Sequence, residues 1–380
     1  MKVMQWLVSS ALMAFFSAPY ASTLEGGARV QLPCPLGDCS AEVSLSYLGE
    51  YSLPWDTQYD GIPFGGISGI DFDPATGHYW AISDDRSQKA PARLYELAID
   101  IQQGQLKKVD VVRTIVLKDS HGQSFATGSV DPESVREGPD HYLYWTSEGS
   151  TKAGLPTVVR VADRDGRFVR EFSTPEGFAP SVDRKTGIRE NQAFEGLTIL
   201  PSGDFMAGME TALFQDGPIA SLTTGSLARF VRYDMKQGTP SAEYVYPISP
   251  IPQPPLQAPY ACDNGVSEVL ALDEHHLIVI ERSFASGYGV SVKVFIADTS
   301  GATDVLQVPS LKETNQSIIP MRKSLLIDFR AIGLAPDNIE GVTLGRASDG
   351  SQVLIFASDD NFSPQQKNQF YAFKIERLPH

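Results

Sequence analysis

Cysteine and histidine are scarce, with three of the first and six of the second in 380 residues. The thiols show no C-x-x-C spacing and the histidines fall mostly in turns or at the terminus, so a zinc centre is not favoured. Cys34 and Cys39 enclose PLGD, close enough for a local disulfide in an oxidising compartment, and that pairing leaves Cys262 odd. Basic charge is also short: 31 Lys and Arg face 46 Asp and Glu, for a net charge of −15. That balance disfavours nucleic acid or an anionic membrane as a partner and suits a protein that concentrates cations. Several chemical signatures are missing: no G-x-S-x-G elbow, no Walker loop, no G-x-G-x-x-G and no H-E-x-x-H. The stretch DSHGQS around His121 lacks the arginine neighbours a histidine-type phosphatase uses. If the protein is a hydrolase, metal-assisted attack by water is the route that survives.

Beyond the N-terminus there is no apolar run of membrane-spanning length, so no membrane span is expected. The N-terminus itself places Lys2 before WLVSSALMAFF and then the small residues SAPYAS. This reads as a secretory signal over residues 1–21, with no cysteine after it to carry a lipid. Residues 22–40 read as an N-terminal segment and 41–380 as one domain. A soluble monomer, periplasmic or secreted, is expected.

What is present is a repeat. The stretch DNIEGVTL places Glu340 at the start of an apolar run, and the same placement recurs upstream. It is found in CDNGVSEVLAL at Glu268, NQAFEGLTIL at Glu195, VDPESV at Glu133 and FGGISGIDF at Ser68. Each run is followed by a turn and a second run ending in acid: Asp84 and Asp85, Glu148, Glu210, Glu281, then Asp359 and Asp360. Third runs follow, such as ARLYELAI and NQFYAFKIE, and fourth runs in four repeats: VDVVRTIVL, RFVREFS, AEYVYPI and TDVLQVPSL. The last repeat has no fourth run, whereas a spare strand, AEVSLSYLGEYSL, precedes the first. Short antiparallel strands in sets of four, repeated around a ring, predict an all-β propeller closed by its N-terminal strand. The repeats favour five blades. A six-bladed ring is the alternative, with ETNQSIIPMRKSLLIDFRAIG as the remnant of a degenerate blade.

An antiparallel hairpin brings the start of its first strand beside the end of its second. The paired acids therefore belong at one face of the ring, around the channel mouth. The set is Glu133, Glu148, Glu195, Glu210, Glu268, Glu281, Glu340, Asp359 and Asp360. Crowded carboxylates share protons or bind cations, and an imidazole-poor set suits a hard ion, calcium over magnesium. Glu195 and Glu340 are the candidate catalytic carboxylates, with Arg282 to steady negative charge. Arg86, Arg282, Lys367 and Asn361 are candidates to contact a small ester or phosphoester substrate. The competing reading of each acid is a blade-to-blade clamp accepting backbone N–H groups.

The motifs AFEGL, VSEVLAL…IVIERSF and NIEGVTLG…SDDNF…NQFYAF resemble the bacterial "esterase-like activity of phytase" family, over roughly Gly65 to Lys374. The resemblance implies an exported propeller and a broad phosphoester or ester hydrolase label. The matching positions are Glu195, Glu268, Glu281, Arg282, Glu340, Asp359, Asp360 and Asn361, and Ser68 departs from the pattern. Two rivals stand beside a hydrolase: a non-catalytic binding propeller with structural calcium, and a lactonase-type sugar-acid hydrolase.

Overall fold

The computed structural model describes residues 29–32 and 41–379. Cys34, Cys39 and residues 1–21, the stretch expected to be a secretory signal, lie outside the described residues. Four blades are four-stranded antiparallel sheets in simple sequential order. Their inner strands are Ile67–Phe72, Pro132–Glu137, Phe194–Ile199 and Cys262–Ala271. The fifth blade begins at Asn338–Arg346 and runs outward through Gln352–Asp359 and Asn368–Pro379. Its next strand is Ala41–Leu53 from the other end of the chain, with Leu45 opposite Ile375 and Tyr51 opposite Phe370. The inner strands touch in a cycle, blade 1 to 2 to 3 to 4 to 5 and back to 1. The ring is therefore a five-bladed propeller closed by its N-terminal strand.

The sequence explains why the blades stack. Second strands such as Tyr79–Ser83 and Phe205–Met209 are buried at every position, because both faces of a middle strand meet a neighbouring blade. At the crowded hub, glycine is needed where inner strands nearly touch. A Cβ at Gly69 would stand 2.7 Å from Ser134 Cα, and one at Gly196 2.7 Å from the Val269 nitrogen.

The channel is filled rather than open. Arg136, on the inner strand of blade 2, donates from Nε to Leu197 O at 2.7 Å and from Nη2 to Val269 O at 2.9 Å. Its Nη1 donates to Ile70 O, so one guanidinium ties four blades together. Glu268 completes the plug, 3.0 Å from Arg136 Nη2.

Blade 4 differs from the sequence reading. Its outer strand is Arg322–Asp328, paired with Gly289–Asp298, not TDVLQVPSL. That earlier stretch instead lies against the outer strand of blade 3, where Val305 N donates to Glu243 O at 2.8 Å and Val305 and Val308 pack on Val245. Arg229 fastens it by donating to Val308 O at 2.8 Å. The segment suggested as a remnant blade thus supplies blade 4's last strand, and no sixth blade exists among the described residues.

Deleting the chain through Leu53 is expected to expose the whole edge of Asn368–Pro379 and to uncover apolar side chains on both its faces, Phe370 on one and Phe373 on the other. The truncated protein should aggregate or lose its cooperative melting transition. Retention of the full-length melting temperature would refute the closure.

Candidate functional site

In each blade the inner strand carries a one-residue irregularity near its start, between Ile67 and Gly69, Phe194 and Gly196, Val266 and Glu268, and Ile339 and Gly341. In blade 2 the break falls between Pro132 and Val135. A bulge frees one residue from the ladder and re-aims its side chain. The freed residues are Ser68, Glu133, Glu195, Ser267 and Glu340. Beside them stand Asp84, Glu148, Glu210, Arg282 and Asp359, each one residue beyond the second-strand residue that pairs with the position just before the bulge. Backbone bonds fix these positions: Asp84 N to Gly66 O at 2.8 Å, Glu148 N to Asp131 O at 2.8 Å and Glu210 N to Ala193 O at 2.7 Å.

This register corrects the sequence reading of blade 4 by one residue on both strands. Ser267, not Glu268, occupies the bulge, and Arg282, not Glu281, takes the second-strand position beside it. Side chains alternate along a strand, so a one-residue slip turns each acid to the opposite side. Glu268 points into the hub and accepts bonds from Ser134 Oγ at 2.9 Å and Leu197 N at 3.0 Å. Glu281 faces blade 3 and accepts from Tyr246 Oη at 2.9 Å, Ser249 N at 3.1 Å and Lys323 Nζ. Asp360 accepts from Gly66 N at 3.0 Å and Asn368 Nδ2 at 2.9 Å, fixing the join between blades 5 and 1. These three act as clamps and stand apart from the acid cluster.

The remaining acids converge. Oxygens of Asp131, Glu133 and Glu148 lie within 4.8 Å of one another, as do those of Glu148, Glu195 and Glu210. Above them opens a cavity of about 880 Å³ lined by Asp84, Glu133, Glu195, Arg282, Glu340 and Asp359, with Arg86, Asn361 and Lys367 also on its walls. Asn361 and Lys367 are exposed at the rim. Ser68 Oγ donates to Glu133 at 2.6 Å and lies 3.2 Å from Glu340, so the one serine of blade 1 joins acids of blades 2 and 5.

Asp131 escapes the sequence reading, which takes Asp84 as an acid ending a second run but not as a candidate ligand. Asp131 lies two residues before Glu133 and just ahead of the strand Pro132–Glu137, so strand alternation alone does not assign it to the cluster. Asp84 and Asp85 both line the cavity, but they differ in what their carboxylates are bound to. Asp85 turns back to accept the amides of Gln88 at 2.7 Å and Ala90 at 2.8 Å and pairs with Arg93 at 2.7 Å.

The electrostatics are those of charge in need of a partner. Burial, then their acidic neighbours, hold Glu133, Glu148, Glu195, Asp84 and Asp359 well above the usual carboxylate range. Burial pushes Glu210 up to about 8 against the pull of Arg282, and Asp131 up to about 6 against Arg86. Burial also raises Glu340. Asp131 Oδ2 and Glu148 Oε2 are buried with no hydrogen-bond partner among the described residues. An unsatisfied buried carboxylate oxygen is costly, and a cation is the partner that this all-oxygen donor set fits.

The fold and cavity define a β-propeller with a buried carboxylate floor beneath one open face. The chain belongs to the phytase-like family, whose model, described as esterase-like activity of phytase, matches residues 62–362. At the coarse level this places it among hydrolase-type propellers. No curated protein matches the chain. Among solved structures, an endo-arabinase from Bacteroides thetaiotaomicron is 13% identical, with 87% of this chain and 97% of that one covered and a TM-score of 0.45. An endo-1,4-beta-xylanase from the same organism is 11% identical, covering 83% and 97%, with a TM-score of 0.41. At such scores neither bears on the reaction.

Proposed function

We propose that the protein is an exported hydrolase of phosphoesters or esters that works with a divalent cation on the acid floor, calcium favoured over magnesium. Export rests on the N-terminal leader pattern, and the hydrolase class on family membership. The observation that carries the cation is the pair of partnerless buried oxygens, Asp131 Oδ2 and Glu148 Oε2, within a carboxylate-only cluster. Asp131, Glu133, Glu148, Glu195 and Glu210 would hold the ion, and the absence of imidazole or thiol from this set favours a hard one. When bound, such an ion polarises a phosphoryl or acyl oxygen and makes water a better nucleophile.

The protein's own groups do the rest. Among the described residues the Arg282 side chain makes one hydrogen bond, 3.3 Å to Asp263, and stands 3.7 Å from Glu210 and 3.6 Å from Glu340. Its Nε has no partner. A guanidinium with unspent donors at the edge of the floor can take an anionic substrate oxygen and steady charge as it develops. Glu340 accepts from Asn338 Nδ2 at 2.9 Å and from Ser68, and its raised pKa lets it hold a proton for a leaving oxygen. Arg86, Asn361 and Lys367 supply polar contacts farther out.

The test is turnover of p-nitrophenyl phosphate, p-nitrophenyl acetate and a sugar lactone by the full chain, with calcium and with chelator. Ester or phosphoester hydrolysis that chelator abolishes is expected, and Arg282→Met should lower kcat by about 10²–10³-fold without loss of fold. Turnover of the lactone alone would favour the lactonase reading. No turnover of any of the three, with calcium still bound, would leave the non-catalytic binding propeller.

A further inference from the structure

We propose that the floor holds two divalent cations side by side, with the Glu148 carboxylate common to both. This rests on the reading of the floor as a cation site and adds its stoichiometry and its ligand sets. One ion takes Asp131, Glu133 and Glu148; the other takes Glu148, Glu195 and Glu210.

The first argument is reach. Two oxygens bound to one calcium ion at 2.3–2.6 Å can stand at most about 5 Å apart. In each of the two triads one oxygen from every residue lies within 4.8 Å of the others, the span of one ion. Among the described residues no group of four acids meets that limit, so one ion cannot collect the whole floor. Glu148 is the single member of both triads.

The second argument is where the acids fall in the ring. Blades 2 and 3 both carry an acid at the bulge and at the end of the second strand: Glu133 with Glu148, and Glu195 with Glu210. Blade 5 has the same pairing in Glu340 and Asp359, but its neighbours do not. Blade 1 offers Ser68 and Asp84, and blade 4 offers Ser267 and Arg282. Blades 2 and 3 are the one adjacent pair in which both are fully acidic, and Glu148 lies at their junction. On the far side of Glu210, Arg282 at 3.7 Å already supplies positive charge, which limits the row to two.

A third observation is independent of the clustering. Glu148 is 1% exposed and Asp131 3%, yet Glu148 Oε2 and Asp131 Oδ2 have no hydrogen-bond partner among the described residues. The other oxygen of each is tied down, Glu148 Oε1 by the Ala193 amide at 2.7 Å and Asp131 Oδ1 by Arg86 at 2.6 Å. Each carboxylate is thus held in place with one oxygen left unused in a buried site, and the shared member is one of the two.

The experiment is equilibrium dialysis of the chelated full chain against calcium, with metal counted by mass spectrometry, followed by calorimetric titration. About two ions per chain are expected. Glu210→Gln should weaken one binding event by at least tenfold and leave the other; Asp131→Asn should do the same to the opposite event. Glu148→Gln should weaken both, by about 10–100-fold. A wild-type count of one ion overturns the pair, and if calcium-dependent hydrolysis persists the proposed reaction still stands. A count of zero removes both. Because the wild-type count needs no substitution, the outcome does not depend on any variant folding.

Discussion

Arg136→Met is expected to lower folding stability by about 3–5 kcal/mol, the largest loss from any single change in the hub. The guanidinium is 2% exposed and spends its donors on carbonyls of blades 1, 3 and 4 while pairing with Glu268. Methionine fills much of the volume but leaves those carbonyls unpaired and the Glu268 carboxyl without its cation. Burial already pushes Glu268 up to about 7 even against the pull of Arg136. Without the arginine Glu268 must stay protonated, so the cost should be greater at pH 8 than at pH 5.5. Urea unfolding at the two pH values measures this. Adding Glu268→Leu to the arginine variant should recover part of the loss, because the uncompensated carboxyl is gone. A loss below 1 kcal/mol would mean that the plug is not what ties the blades together. Calcium uptake by the folded fraction should be unchanged, since neither residue belongs to the floor.

That separation of hub from floor was only half visible in the sequence. The ring was legible because its evidence is redundant: five runs of similar pattern, each closed by a turn, and a spare strand, AEVSLSYLGEYSL, to fill a gap at the other end. Most of the floor followed from hairpin geometry, which places Glu195 and Glu210 together whatever the details of packing. Blade 4 misled because SEVLAL and IVIERSF each carry an acid one residue away from the position that faces the cavity. The bulge at Ser267 is set by how the inner strands meet at the hub, and no local propensity announces it. Asp131 was hidden for a related reason. It precedes the strand and is drawn into the cluster by Arg86, which arrives from blade 1. The outer strand of blade 4 was missed because TDVLQVPSL and RKSLLID are similar in length and apolar content. The choice between them was made by tertiary contacts, with Arg229 claiming the first for blade 3.

Chelated protein is expected to become less stable as pH rises from about 4 to about 8, and calcium should reverse most of that trend. The sign follows from the floor carboxyls, whose folded-state pKa values lie above their unfolded ones. Below the unfolded values, near 4, both states are protonated and the stabilisation is fully present. Between the two, the folded state keeps protons that the unfolded state has released, so stability falls with each step in pH. Asp131 is exhausted near 6 and Glu210 near 8, with Glu133, Glu148 and Glu195 shifted in the same direction. At about 1.4 kcal/mol per pKa unit, Glu210 alone accounts for a loss of several kcal/mol. Cations displace the protons and restore what was lost, so calcium binding near pH 6 should release protons measurably into a weakly buffered solution. Glu268 and Glu243 are each held at about 7 by burial and add a slope of the same sign. They lie away from the floor, Glu243 beside Arg229 and Glu268 beside Arg136, so calcium should leave their share untouched. Melting curves from pH 4 to 8 therefore divide into a calcium-sensitive part and a residual part. Glu148→Gln and Glu210→Gln together should shrink only the first. A melting temperature that stays level across this range in chelator, or a fall that calcium does not touch, would show that the floor is not where cations bind.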